Sequence, residues 1–362
     1  MLGYLVLFLI PALLAINGSP KRVSPKFTLN FPLKLLGFYY ALAIGLRHEV
    51  GGDWFAYSAN REYFASLDLS VALTELRTSD PAFAFLSWLS PELGGDYFVN
   101  LVCGVLFTTG LISFCRNQPN PWLALTVAVP YLVTVVAMGY TRQGVAIGLS
   151  MFGLVALSRE KIFRFIFCIT AASAFHKSAV ILIPLAIFSG SRQNLSVFFG
   201  VGLIGPLVFI LFLQESVDRL ISGYVGDGME SSGAFIRVVM NALPAGLFLF
   251  WRRRFALSES AQGFWTWMSI GALLFLPALA VSPSSTAVDR IALYWIPIQI
   301  FVWSRLPQAI KVGPKSERLL SHSVIAYSLV VLLVWLLFAD HSYAWLPYRF
   351  YPWELIKSAL FP

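Results

Sequence analysis

Apolar residues along this chain come in long unbroken runs, and polar residues gather in the stretches between them. Such runs predict helices that cross lipid, because in a bilayer every backbone amide must be satisfied within its own segment. A transmembrane barrel would instead show apolar and polar positions in alternation. The runs place spans near 2–16, 32–46, 97–114, 121–139, 142–157, 162–175, 178–189, 195–213, 235–251, 262–281, 290–303 and 321–338. The expected fold class is all-α, a polytopic helical integral membrane protein with about 12 membrane segments. The segment 178–189 is short and contains Pro184, so a tilted, broken or re-entrant piece is expected there. Between spans, Trp54 to Leu67, Ser70 to Arg77 and Pro81 to Leu89 read as short amphipathic helices lying along the membrane interface.

Composition agrees, since the 362 residues are 58% hydrophobic and 12% charged. The first run, Met1 to Ile16, has no basic residues ahead of it and ends in Asn17-Gly18-Ser19-Pro20 without an A-x-A pattern, so it reads as a retained helix rather than a signal peptide. Cys103, Cys115 and Cys168 lie in or beside apolar runs and form no C-x-x-C pair, which argues for packing and against a disulfide framework or a metal site. With no repeat or low-complexity tract, the expectation is one polytopic domain over 1–362, carrying outer segments at 47–96, 214–234 and 339–362.

Charge sets the orientation. If the spans alternate, one set of connections holds Lys21, Arg22, Lys26, Lys34, Arg116, Arg159, Lys161, Arg164, Arg192, Arg252, Arg253, Arg254, Arg305, Lys311, Lys315 and Arg318, leaving ten cations for the other. Acids divide the opposite way, with only Glu160, Glu259 and Glu317 in the first set and fifteen of eighteen in the second. The positive-inside rule makes the first set cytoplasmic, so both termini and the longer connections face outward, toward the periplasm. The net charge of +8 therefore reflects topology and gives no reason to expect nucleic acid as a partner.

Against that frame four cations are out of place. Arg142, Lys177, Arg237 and Arg290 stand at or just inside the first turn of apolar helices, where the dipole favours acids. An anion such as a phosphate would relieve each of them. Arg142, followed by Gln143-Gly144, has the planar fork suited to bidentate phosphate contact, although arginines near helix ends also snorkel to lipid head groups. Arg237 and Asn241 are one turn apart, as are Arg290 and Tyr294, with Asp289 able either to cap its helix or to neutralise Arg290. In Arg47-His48-Glu49-Val50-Gly51-Gly52-Asp53-Trp54-Phe55-Ala56-Tyr57, the glycine pair permits a sharp turn, and a following helix would set Asp53, Tyr57 and Arg61 on one face. The plainer alternative makes Asp53 a helix cap and Tyr57 an interfacial anchor. His176 is placed to act as acid or base, or else to be held by the dipole at a helix C-terminus. Asp218, Asp227 and Glu230 in the 214–234 loop fit a solvated loop better than a sugar or cation site. No P-loop, G-x-G-x-x-G, H-E-x-x-H, G-x-S-x-G or D-x-D motif occurs, so nucleotide, zinc-peptidase, serine-hydrolase and metal-dependent glycosyltransferase chemistry have no signature here.

The ordered set Arg47…Gly52-Asp53…Tyr57, Arg142-Gln143-Gly144-Val145-Ala146, Phe175-His176-Lys177-Ser178-Ala179 and Asp289-Arg290…Tyr294 resembles the EpsG family of bacterial exopolysaccharide proteins, which groups with Wzy-type O-antigen polymerases. Gly-Gly-Asp-Trp stands here where the family pattern more often reads Gly-Thr-Asp-Tyr. The resemblance implies a glycosyltransferase that joins oligosaccharide repeat units carried on undecaprenyl diphosphate, at the periplasmic face of the bacterial inner membrane. It implies no cofactor and no nucleotide sugar, with a chain-length regulator and a flippase as working partners beside the lipid. The catalytic candidates are then His176 first and Asp53 second. Arg142 and Arg290, supported by Arg237, Lys177 and Arg47, are the diphosphate contacts, and Tyr57, Tyr294, Trp54 and Tyr348 are the sugar contacts, with Trp345 as a further stacking surface. Rival expectations are a flippase for the lipid-linked unit, a ligase transferring finished glycan and, more remotely, a membrane O-acyltransferase. A flippase would need essential charges on both faces or along a path through the middle, whereas these cluster on one face.

Overall fold

A computed structural model describes residues 1–17, 30–188, 231–310 and 313–360. The expected span 195–213, most of the 214–234 loop with its acids, and the cations Lys21, Arg22, Lys26, Arg192 and Lys311 lie outside the described residues. Those described are helical, and the β-type pairing among them is a single antiparallel bridge between Arg47 and Phe350. We number the α-helices in chain order: α1 Leu2–Asn17, α2 Asn30–Gly45, α3 Trp54–Ala65, α4 Leu69–Thr78, α5 Pro81–Leu89, α6 Gly95–Arg116, α7 Pro121–Ala128, α8 Thr141–Leu157 and α9 Ile162–Phe175. After the undescribed stretch come α10 Ala234–Trp251, α11 Glu259–Val281, α12 Ser285–Ala292, α13 Pro297–Ala309, α14 Pro314–Phe338 and α15 Tyr351–Leu360.

Among the described residues, four helical segments are long and apolar enough to cross a membrane: α6, Ala234–Phe255, α11 and α14. Shorter apolar helices, Leu2–Asn17, Phe31–Gly45, Pro121–Ala137, Thr141–Leu157 and Ile162–Phe175, pack among them. This is a helical membrane protein. Three short helices, α3, α4 and α5, form where amphipathic helices were expected between Trp54 and Leu89.

Three expected spans are not regular α-helices. The run 121–139 is α-helical only to Ala128 and then π-helical over Val129–Ala137, with Pro130 unable to donate into the ladder. The run 178–189 is a 3₁₀ helix, Lys177–Phe188, interrupted by Pro184. The run 290–303 is broken, because α12 ends at Ala292, a 3₁₀ turn covers Leu293–Trp295, and Pro297 opens α13. All three irregularities adjoin the places where cations were singled out.

The core joins α1, α2, α6–α9 and α10–α14. Where α6 meets α8, Gly110 and Gly148 let the backbones approach so closely that any Cβ at Gly110 would overlap the Gly148 carbonyl. The tail after α14 folds back inward. Trp345 is 2% exposed and its Nε1 donates to the Thr134 carbonyl at 2.7 Å, while Tyr4 OH donates to the Trp345 carbonyl at 2.8 Å. His48 N donates to Arg349 O, and Tyr351 N to Leu46 O, fastening the tail to the end of α2.

Candidate functional site

The site lies at one end of the bundle, where the π-helical stretch runs through Met138-Gly139-Tyr140 into α8 and where α9 gives way to the 3₁₀ helix. A sharp turn at Gly51 seats the α3 segment there. Its φ is +109°, a Cβ would meet the Met138 carbonyl, and its N–H donates to Ala344 O at 2.8 Å. Asp53 follows at the start of α3, and its side chain makes no capping bond. Burial pushes the Asp53 carboxyl above its ordinary range, opposed by Arg290 and then Arg142, which places this carboxylate under the influence of both cations.

Arg142 opens α8 and is 39% exposed at its side chain. Its Nη1 donates to Asp80 Oδ2 at 2.8 Å, and its guanidinium carbon lies 5.4 Å from the Tyr57 ring and 5.8 Å from that of Phe83. Its Nε is buried without a hydrogen-bond partner, as is Gln143 Oε1. Gln143 Nε2 donates to the Arg290 carbonyl at 2.5 Å, tying the starts of α8 and the 290–303 region together. The Arg290 guanidinium lies 4.0 Å from the centre of the Tyr140 ring, and among the described residues no carboxylate forms an ion pair with it. Buried polar atoms without partners are uncommon, and two of them lie here close to a cation that no carboxylate pairs with among the described residues.

The second half of the site is the α9–3₁₀ junction. Ser178 Oγ and Tyr294 OH lie 2.6 Å and 3.1 Å from His176 Nδ1, and the two hydroxyls are 3.2 Å apart. Burial lowers the His176 pKa to about 4; Asp80 opposes this and Arg142 and Arg290 reinforce it, so the imidazole is neutral near pH 7. Lys177 N donates to Asp80 Oδ1 at 3.2 Å, so Asp80 holds both Arg142 and the start of the 3₁₀ helix. Alongside, Arg237 makes a bidentate pair with Asp289, both contacts at 2.8 Å, and donates to Ser231 Oγ at 2.5 Å. Tyr140 feels both groups, since burial raises its pKa while Arg290, Arg237, Asp289 and Asp53 all act on it.

The structure thus brings Asp53, Tyr57, Arg142, His176, Lys177, Arg290 and Tyr294 together, with Arg237 adjoining. Arg47 and Trp54 line a small cavity together with Tyr57, Arg61, Phe83 and Asn100. Arg47 is 1% exposed and donates to Ile44 O, Val50 O, Asn100 Oδ1 and Thr141 Oγ1. Trp54 is buried with its ring 5.3 Å from the Arg47 guanidinium, Tyr348 OH donates to the Ala43 carbonyl at 2.8 Å, and Trp345 is enclosed. These side chains fix the walls of the site. Arg61, expected on the face of Asp53 and Tyr57, lines a cavity with Tyr57 and pairs with Asp96 at 2.6 Å. Sequence reasoning passed over Asp80 and Ser178. Asp80-Pro81 carries the signal of a helix start, but nothing local shows that its carboxylate reaches residues 62 and 97 positions away.

The described residues form a bundle of apolar helices with a cation-rich, partly buried polar site at one end. The model of the EpsG family matches residues 31–350, and the chain belongs to that family. No curated protein and no solved structure matches the chain. Membership supports a function of the polysaccharide-polymerase type, in a membrane.

Proposed function

We propose that this protein is a Wzy-like glycosyltransferase that joins oligosaccharide repeat units carried on undecaprenyl diphosphate and releases undecaprenyl diphosphate. The observation that carries this reading is that the Gln143 Nε2 bond to the Arg290 carbonyl brings Arg142 and Arg290 to one place, beside unpartnered Arg142 Nε and Gln143 Oε1. In the reaction, an acceptor sugar hydroxyl attacks the anomeric carbon of the donor. The bond from that carbon to the diphosphate oxygen breaks, its electron pair leaves on the diphosphate, and the hydroxyl proton passes to a base. The negative charge on the leaving diphosphate is what Arg142 and Arg290 stabilise, in a site held ready before the substrate arrives.

For the base we reverse the order expected from sequence. Asp53 is pushed upward by burial, and a diphosphate at the two arginines would raise it further, making its carboxylate a stronger base. His176 is held far below neutrality, with Nδ1 engaged by Ser178 and Tyr294, and serves to fix the 3₁₀ start. Tyr57 and Tyr294 border the sugar path, and Arg237 supports Arg290 through Asp289.

The same reading sets the chain in the bacterial inner membrane as one polytopic domain of about twelve segments, with both termini and the site periplasmic, as the charge distribution supports. A chain-length regulator and a flippase would act beside it. The test is the gel profile of surface glycan from a deletion strain complemented with wild type or Arg142→Ala, at membrane levels matched by immunoblot. Ladders restored by wild type and not by Arg142→Ala, with single repeat units still reaching the final acceptor, support the reading. Normal ladders from a well-inserted Arg142→Ala, or loss of all surface units with lipid-linked repeats held on the cytoplasmic face, overturn it, the latter in favour of translocation.

A further inference from the structure

Asp80 sits in the N-cap position of α5, ahead of Pro81, where a carboxylate ordinarily binds the free amides of its own helix. It does not do so here. One oxygen accepts from Arg142 Nη1 at 2.8 Å and the other from Lys177 N at 3.2 Å, so its local role is given up for two long-range contacts. The residue is 9% exposed, while the arginine it holds is 39% exposed at its side chain. Of the Arg142 fork, Asp80 takes Nη1 alone.

We infer that Asp80 is a positioning residue of the transfer site, an internal counter-anion that aims Arg142 toward the substrate and competes with the diphosphate for its charge. The inference rests on the diphosphate reading above. A carboxylate bound to one end of the fork fixes the plane of the guanidinium and ties it to His176-Lys177-Ser178, so the oxyanion contact and the 3₁₀ start move as one unit. The same carboxylate lowers the net positive charge met by an arriving or departing diphosphate. It therefore weakens binding of the leaving group and favours its release, which a site with two arginines requires for turnover.

The sign of the effect separates this role from a merely structural one. Asp80→Asn keeps an oxygen for Lys177 N and removes the charge. In purified protein, binding of farnesyl diphosphate is expected to tighten about five- to tenfold in Asp80→Asn, while polymer formed per molecule falls at least about tenfold. Because the effect passes through Arg142, Asp80→Asn adds nothing to binding in an Arg142→Ala background. Asp80→Ser, which also removes the charge, serves in place of Asp80→Asn if the latter is not recovered in the membrane. Unchanged or weaker binding in the charge-removing variant, or tightening that persists without Arg142, overturns the inference while leaving the diphosphate site standing. Farnesyl diphosphate bound equally by wild type, Arg142→Ala and Arg290→Ala overturns the diphosphate reading itself.

Discussion

Arg47 and Arg290 both lie at the same end of the bundle, yet the protein treats them in opposite ways. Arg47 is enclosed and donates four hydrogen bonds, to Ile44 O, Val50 O, Asn100 Oδ1 and Thr141 Oγ1. It is a clamp between the end of α2, α6 and the start of α8, and although burial lowers its pKa to about 10, it stays charged at neutral pH. Arg290 rests on the Tyr140 ring, and among the described residues no carboxylate is paired with it. A cation whose nitrogens are each bonded within the chain stabilises the fold, and one whose donors are spare is available to a ligand. Arg142 stands between the two cases, held by Asp80 at one nitrogen with Nε unpartnered.

The comparison orders the expected effects. Arg290→Ala should have the largest effect on activity, lowering polymer formed per molecule about 10²- to 10³-fold while membrane level stays near wild type, as measured by labelled-glycan incorporation against immunoblot. Arg47→Ala should invert that pattern. Four acceptors around a buried site lose their donor, at a cost on the order of 3 kcal/mol, so membrane level and melting temperature fall while the surviving molecules remain active.

His176 gives a smaller effect with a definite sign. Its folded pKa, about 4, is below the ordinary value of 6.5, so between those pH values the unfolded chain binds more protons and stability falls as pH falls. From pH 7 to pH 5 the loss is on the order of 1–2 kcal/mol, read as a drop in melting temperature, and His176→Gln should abolish that slope. Asp53, shifted upward, contributes with the opposite sign, being more favourable to the fold as pH falls, and the difference between wild type and His176→Gln cancels it. The smallest effect belongs to Lys357, whose exposed pair with Glu354 at 3.2 Å lies on α15 away from the site. Lys357→Ala should change stability by less than about 0.5 kcal/mol and leave polymer length unaltered.

How much of this was legible in the chain depends on the range of the interactions. Apolar runs mark helices because burial in lipid is a local property of composition, and α3, α4 and α5 followed from local amphipathicity. The candidates Arg142, His176 and Arg290 stood out because a cation at a helix start, or a histidine at a junction, is unusual within a few residues. Irregular helix types were less legible, since an apolar run reads alike whether its backbone bonds span three, four or five residues; Pro130 and Pro184 were the available hints. Least legible were the partners of buried polar groups. That Arg47 would be used up by two carbonyls and two side chains, and that Asp80 would leave its own helix for Arg142 and Lys177, depends on contacts across many tens of residues. Sequence locates the charges; packing decides which of them are left to a substrate.

The central claim is that the spare cations serve transfer from a lipid diphosphate. The most direct measurement reconstitutes the purified protein in lipid vesicles with a radiolabelled undecaprenyl-diphosphate-linked repeat unit, and follows glycan length and released undecaprenyl diphosphate together. The account expects a ladder of lengths, one lipid diphosphate released for each bond formed, and neither product with Arg290→Ala. Repeat units that cross the bilayer unjoined, or a ladder undiminished in Arg290→Ala, would contradict it.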